Sequence, residues 1–337
     1  MIIRSLAAAP VLALAAAVAH AQCETGSFVA FAPQAGMAFG CSVAVSGSNA
    51  IVGSIGSGGA GDVRIFKRVG ATWTQVNVSG PAGANESYAS SVALSGNVGV
   101  VGAAGRTTPF GIPQAGAVIV FEPSPLIMTQ VATLFASDAA LGAHLGFAVA
   151  TDGTSIVAGA PDDAPFSVSS GSAYVFEHVS GSWAQSAKLV PSDPPAYGDG
   201  FGRAVVVRGD TAIVGAPFDD DTFQDSGSVY VFHRSGGTWT EAAKLHASDA
   251  AFGAAFGFSL AVSGTTLLVG ANRGVAGQLV GATYCFEEQA GAWIETQIIV
   301  PSDAAPGDLF GFSIALESDT AVIGAVGDDD HGIGSGS

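Results

Sequence analysis

The sequence predicts an all-β chain folded as a β-propeller of four-stranded antiparallel blades, and three observations carry that expectation. A Phe-Gly marker recurs along the chain, a Val-Gly-Ala marker follows it at a fixed distance, and short runs of Val, Ala and aromatic residues are separated by Gly, Asp and Ser. The unit is clearest over residues 201–245. Phe201-Gly202 opens it, Ala-Val-Val-Val follows at 204–207, the chain turns at Arg208-Gly209-Asp210, and 212–217 read Ala-Ile-Val-Gly-Ala-Pro. The acidic loop Asp219-Asp220-Asp221 leads to Gly-Ser-Val-Tyr-Val-Phe at 227–232, and Trp239 and Ala243-Lys244-Leu245 close the unit.

The first marker falls at Phe39, Tyr88, Leu145, Phe201, Phe256 and Phe310, in steps of 49, 57, 56, 55 and 54 residues, so blades are expected to begin near these six positions. The Gly of Val-Gly-Ala stands at Gly53, Gly102, Gly159, Gly215, Gly270 and Gly324, in every copy 13 residues after the second position of the first marker. Further markers are Tyr174-Val175-Phe176, Tyr230-Val231-Phe232 and Tyr284-Cys285-Phe286, with Trp73, Trp183, Trp239 and Trp293 after them. Four strands per unit at this period mean blades stacked round an axis. A lone four-stranded sheet cannot cover both its faces, whereas radial stacking covers each blade by its neighbours. The short interval between the first two strands predicts a tight hairpin. The copy opening at Phe310 reaches only its second strand before the Gly-Ser residues 334–337, so the ring is expected to be six- or seven-bladed with an incomplete last blade. The run Phe28-Val29-Ala30-Phe31 sits at the phase of a fourth strand and is a candidate for completing it.

Phe-Gly followed by Gly159-Ala160-Pro161 or Gly215-Ala216-Pro217 resembles the FG-GAP repeat, and the resemblance covers residues 28–337. That repeat builds the seven-bladed propeller at the head of integrin α subunits and occurs in many bacterial surface proteins. The resemblance implies a scaffold, with function held in its loops. It does not bring the family's calcium loop, because the first hairpin holds only short turns such as Arg208-Gly209-Asp210, which cannot supply five or more oxygens.

Residues 1–21 have the form of a secretory signal: Arg4, an apolar stretch at 7–18, and Ala19-His20-Ala21 with cleavage expected after Ala21. The mature propeller is then 22–337, secreted to the periplasm or outside the cell, with no membrane span. In an oxidising compartment Cys23 and Cys41 are a candidate disulfide, while Cys285 replaces the strand Val of its copy and is expected to be a buried small apolar residue.

A net charge of −17 with 11 Lys and Arg argues against nucleic acid and acidic membranes as partners. The acids cluster in the loops between second and third strands and in the loops entering each blade, such as Asp138, Asp193, Asp249 and Asp303. Both loop classes lie at one end of a meander, so one face of the disk is expected to be acidic. Asp219, Asp221 and Asp225, with an entry-loop Asp, are the candidate ligands for Ca²⁺, the only cofactor suggested. The competing reading is that these acids cap turns and keep the surface soluble. The six histidines fall at different repeat phases, so no catalytic group is expected. The stretch 56–61 matches a dinucleotide-binding glycine pattern but joins two strands and opens no helix. The recurring Trp residues read as packing. The expected function is a secreted, non-catalytic binding or adhesion scaffold for a protein or carbohydrate. The alternatives are a structural component of the envelope or matrix and the propeller part of a secreted hydrolase.

Overall fold

The computed structural model describes residues 2–4, 37–56, 61–80, 86–123, 127–166, 168–193, 196–273, 280–329 and 336–337. Among these every regular element is a strand. β1 (Ile2–Arg4) is short. The first blade is β2 (Met37–Ser46), β3 (Asn49–Gly56), β4 (Gly61–Val69) and β5 (Thr72–Ser79). The second is β6 (Tyr88–Ser95), β7 (Val98–Ala103), β8 (Ala117–Pro123) and β9 (Met128–Leu134), and the third is β10 (Val149–Thr151), β11 (Ser155–Ala160), β12 (Ser172–Val179) and β13 (Ser182–Leu189). The fourth is β14 (Ala204–Arg208), β15 (Thr211–Ala216), β16 (Ser228–Ser235) and β17 (Thr238–Leu245), and the fifth is β18 (Phe256–Ser263), β19 (Thr266–Ala271), β20 (Ala282–Gln289) and β21 (Ala292–Ile299). Each is an antiparallel meander in chain order.

The last sheet is the incomplete one. β22 (Phe310–Glu317) and β23 (Thr320–Ala325) pair, and β1 lies on the free edge of β23 with Ile3 opposite Ala321. A segment read from sequence as the start of a signal peptide thus supplies a third strand. The run 28–31, Ala21 and Cys23 lie outside the described residues.

The first hairpin of each blade is tight, as expected. At β14–β15 only Gly209 and Asp210 lie between the strands, and Gly209 takes the left-handed φ of 54° that such turns require. The first strands pack on one another in the series β2, β6, β10, β14, β18, β22 and so surround the axis. Val43 on β2 and Val322 on β23 stay 64% and 48% exposed, so the two ends of this series do not cover each other as the inner neighbours do.

The core lies between blades. Ile51, Val63 and Ile65 of the first blade meet Tyr88, Val101 and Ile119 of the second, and comparable layers join the second to the third, the third to the fourth and the fourth to the fifth. Within a blade the marker Phe anchors its own third strand. Phe201 is fully buried, with its ring edge-on to Tyr230 at 5.2 Å and Phe232 at 6.1 Å, and Phe256 repeats this against Tyr284 and Phe286. Cys285 is buried beside Leu268 and Ala321, as its place in the repeat implied.

The two markers meet across the blade boundary. A Cβ on Gly159 would stand 1.7 Å from the carbonyl oxygen of Gly202, and a Cβ on Gly202 would stand 2.4 Å from the Ser172 carbonyl oxygen. Backbone, not a movable side chain, blocks both. Gly159→Ala is therefore expected to lower stability by about 3 kcal/mol, measured by urea unfolding. Gly80→Ala, whose Cβ would meet nothing nearer than 3.7 Å, is expected to change it by less than about 0.5 kcal/mol.

Candidate functional site

The loops between second and third strands and the loops entering each blade meet at one face, joined by ionic networks. In the fourth blade the strand pairing sets Tyr230 opposite Lys244. Tyr230 donates its hydroxyl to Asp219 at 2.7 Å and to Asp193 at 3.1 Å. Lys244 Nζ reaches Asp193 at 2.6 Å and Asp219 at 3.0 Å and also contacts Asp221. The third blade repeats the design: Lys188 bonds Asp138 at 2.6 Å and Asp163 at 2.8 Å, and Tyr174 donates to both acids. In the fifth blade Ile298 stands opposite Tyr284, the buried acid's place in the repeat falls at Gly274, outside the described residues, and the described residues keep the bond from Tyr284 to Asp249, at 2.7 Å.

Of the three candidate calcium ligands, the structure brings Asp219 and Asp221 together with the entry-loop Asp193, their carboxylate oxygens within 4.8 Å of one another. Asp225 is not among them. Its backbone N–H donates to Asp220 at 2.7 Å, and its φ of 50° marks a turn residue. The Lys244 ammonium lies against all three gathered carboxylates, where a bound cation would lie.

Burial works against ionisation of Asp193, but the bond and charge of Lys244 outweigh it and hold the carboxyl below its ordinary range. Asp138 is held low in the same way by Lys188 and Tyr174. Burial and the neighbouring carboxylates push the Tyr174 and Tyr230 hydroxyls up, so both stay protonated as donors. Asp199 has no cation. Burial, opposed by the Ala196 N–H at 2.7 Å, combines with the charges of Asp219, Asp220 and Asp193 to push it up to about 6.

Above these networks the loops display apolar side chains. Phe110, Phe166 and Phe223 lie between second and third strands, and Leu141, Tyr197 and Phe252 lie in entry loops; all six are exposed, Phe110 by 94% and Tyr197 by 84%. The tripeptide Arg208-Gly209-Asp210 lies at the opposite end and is engaged, with Arg208 on Glu288 at 2.7 Å and Asp210 on Arg234 at 2.6 Å.

A second feature lies on the axis. The residue after each first marker is Cys41, Ser90, Phe147, Arg203, Phe258 or Phe312, and all six line a channel of about 590 Å³. Cys41 Sγ lies 3.6 Å from the Ala89 carbonyl on its wall. The Arg203 guanidinium carbon stands 5.1 Å from the ring centre of Phe147, 5.4 Å from that of Phe218 and 5.0 Å from that of Phe258. Arg273 stands over the same Phe218 ring at 5.5 Å.

The FG-GAP repeat matches residues 128–176, 183–232, 239–286 and 293–337, together more than half of the chain. No curated protein matches the sequence. Among solved structures, a periplasmic gluconolactonase of Pseudomonas aeruginosa is similar at 16% identity with a TM-score of 0.55, over 86% of this chain and 78% of that one. At that identity the likeness concerns the fold alone.

Lys244→Met leaves three carboxylates without their cation and is expected to lower stability at neutral pH by about 3 kcal/mol. Added Ca²⁺ is expected to restore part of the loss in this variant and to leave the parent's Tm unchanged, as read by thermal melts with Ca²⁺ and with EDTA. A raised carboxyl behaves in the opposite sense to Asp193. The contribution of Asp199 is fully present below the ordinary carboxylate value near ~4 and is lost as pH rises through about 6. Asp199→Asn is therefore expected to melt above the parent at pH ~7 and to lose that advantage by pH ~4.

Proposed function

The chain belongs to the FG-GAP repeat family, and from that premise we propose that it is a secreted, non-catalytic binding module that engages a protein or carbohydrate through one loop face. The observation that carries this reading is the set of exposed apolar side chains Phe110, Leu141, Phe166, Tyr197, Phe223 and Phe252 on loops of that face. Large apolar groups displayed by a fixed scaffold are the usual anchors of recognition. The loops that carry Leu141, Phe166, Tyr197 and Phe223 are held by the Lys188 and Lys244 networks, which join loops to strands in the third and fourth blades. Rigid anchors lose little conformational freedom on binding.

The same networks argue against chemistry at this face. A general acid or base needs a reachable proton near neutral pH, yet the Lys and Tyr groups here are committed to carboxylates, and Asp199, the carboxyl pushed up to about 6, is buried and bonded to the Ala196 N–H. His144 is bonded to Asp162 at 2.7 Å, His233 and His246 are bonded to Thr211 and Ser228, and His178 packs edge-on against Trp183. Export to the periplasm or beyond is supported by the charge and apolar pattern of the first 21 residues.

The variant Phe110→Ser/Phe166→Ser/Tyr197→Ser/Phe252→Ser tests the reading. The parent is expected to bind cell-envelope or polysaccharide preparations, and the variant to lose at least about tenfold in affinity without a fall in Tm. Equal binding by both proteins places recognition elsewhere. Turnover of any lactone, ester or glycoside by the parent overturns the non-catalytic assignment.

A further inference from the structure

We propose that the mouth of the axial channel is a binding site for a small organic carboxylate, with Arg203 as its charged partner, Arg273 as a second cation at the rim, and Phe147, Phe258 and Phe312 as walls for its apolar body. Arg203 is a half-buried cation without a carboxylate partner among the described residues, whereas Lys67 and Arg68, also without one, are exposed. Arg64, Arg106, Arg208 and Arg234 each pair with a carboxylate, whereas neither Arg203 nor Arg273 has such a partner among the described residues. Arg203 is set into the channel wall by the first strand of the fourth blade, and its Nε is sealed from water with no hydrogen-bond partner.

Three aromatic faces hold the guanidinium in place by cation–π attraction. They do not neutralise it, and a half-buried charge without an anion is unfavourable. Burial and the nearby Arg273 both push the Arg203 group toward its neutral form, and Asp162, itself bonded to His144, opposes them from a distance. The local charge balance is therefore deficient in one anion, in a chain whose net charge is −17.

The chemistry of the cavity selects the kind of anion. A guanidinium fork matches a planar carboxylate. The aromatic wall favours an apolar body behind the charged group, and about 590 Å³ is the size of a small-molecule site. This site is separate from the loop-borne anchors, so the failure of either assignment leaves the other standing.

Benzoate is the probe, titrated into the full chain by calorimetry and by ligand-observed NMR, with sulfate and acetate as comparisons. One saturable benzoate site of millimolar or better affinity is expected, bound more tightly than either comparison anion. Arg203→Met is expected to weaken it by at least about tenfold and Arg273→Gln by about threefold. Should Arg203→Met fail to fold, Arg273→Gln, an exposed rim position, decides the matter by its affinity alone. The proposal is overturned if the parent shows no saturable benzoate binding, if folded variants bind as the parent does, or if sulfate binds as tightly as benzoate.

Discussion

The ring depends on how closely the second strand of one blade approaches the opening of the next. Gly159 and Gly202 meet backbone to backbone, with no room for a Cβ on either, and the same contact recurs at Gly102 with Gly146, Gly215 with Gly257 and Gly270 with Gly311. The Phe before the second glycine is buried on its own third strand. The two repeating markers are therefore the two sides of one joint. The first boundary tests this account, since Ala89 replaces the second glycine there. It adopts a φ of 64° that costs an alanine about 1 kcal/mol, while Gly53 keeps the approach close, its absent Cβ leaving room for the Ala89 carbonyl. One side of the joint tolerates a methyl group, which would stand 3.2 Å from a Cβ on Gly53, but the facing side stays bare.

Close joints put the blades in fixed relation, and that determines what the loops can do. Asp193 enters the fourth blade, Asp219 and Asp221 follow its second strand, and Tyr230 and Lys244 rise from its third and fourth strands. The network thus ties three parts of a blade at one point, and the third blade repeats it with Asp138, Asp163, Tyr174 and Lys188. Where Ile298 replaces the lysine and Gly274 stands at the acid's position in the sequence, the described residues of the fifth blade keep Tyr284 and Asp249. The face is accordingly most firmly organised around the third and fourth blades.

The fold was legible because its signals are repeated. Hairpin lengths, the joint glycines and the Tyr-Val-Phe strand recur with a period, and periodicity averages out the exceptions. The acidic face was legible for the same reason, since Asp138, Asp193 and Asp249 share a phase, and so was the meeting of Asp219 with an entry-loop acid. What sequence reading missed was the lysine. Ala187-Lys188-Leu189 and Ala243-Lys244-Leu245 repeat in the two blades that carry paired acids and lapse to Ile298 in the blade that lacks one. That co-occurrence was a usable signal. The channel was harder to find. The position after each Phe-Gly is Cys41, Ser90, Phe147, Arg203, Phe258 and Phe312, six residues without a common chemistry, so a search for shared features passes over it. A position that faces an axis packs on its counterparts in other blades, as Arg203 does on Phe147 and Phe258, and not on one repeated partner that would make it uniform.

The few cations of this acidic chain carry particular weight. The chain has 11 Lys and Arg against 28 Asp and Glu, and six of the cations are paired with carboxylates. Lys188 and Lys244 hold the loops, Arg234 joins the fourth blade to Glu177 of the third, and Arg208 joins it to Glu288 of the fifth. Arg203 is surrounded by three aromatic rings, and no acid bonds to it among the described residues. The same channel position holds a serine in the second blade, Ser90, without burying a charge. An arginine there carries a desolvation cost that stability does not explain, and such a cost is most readily understood where the group meets its anion from solution.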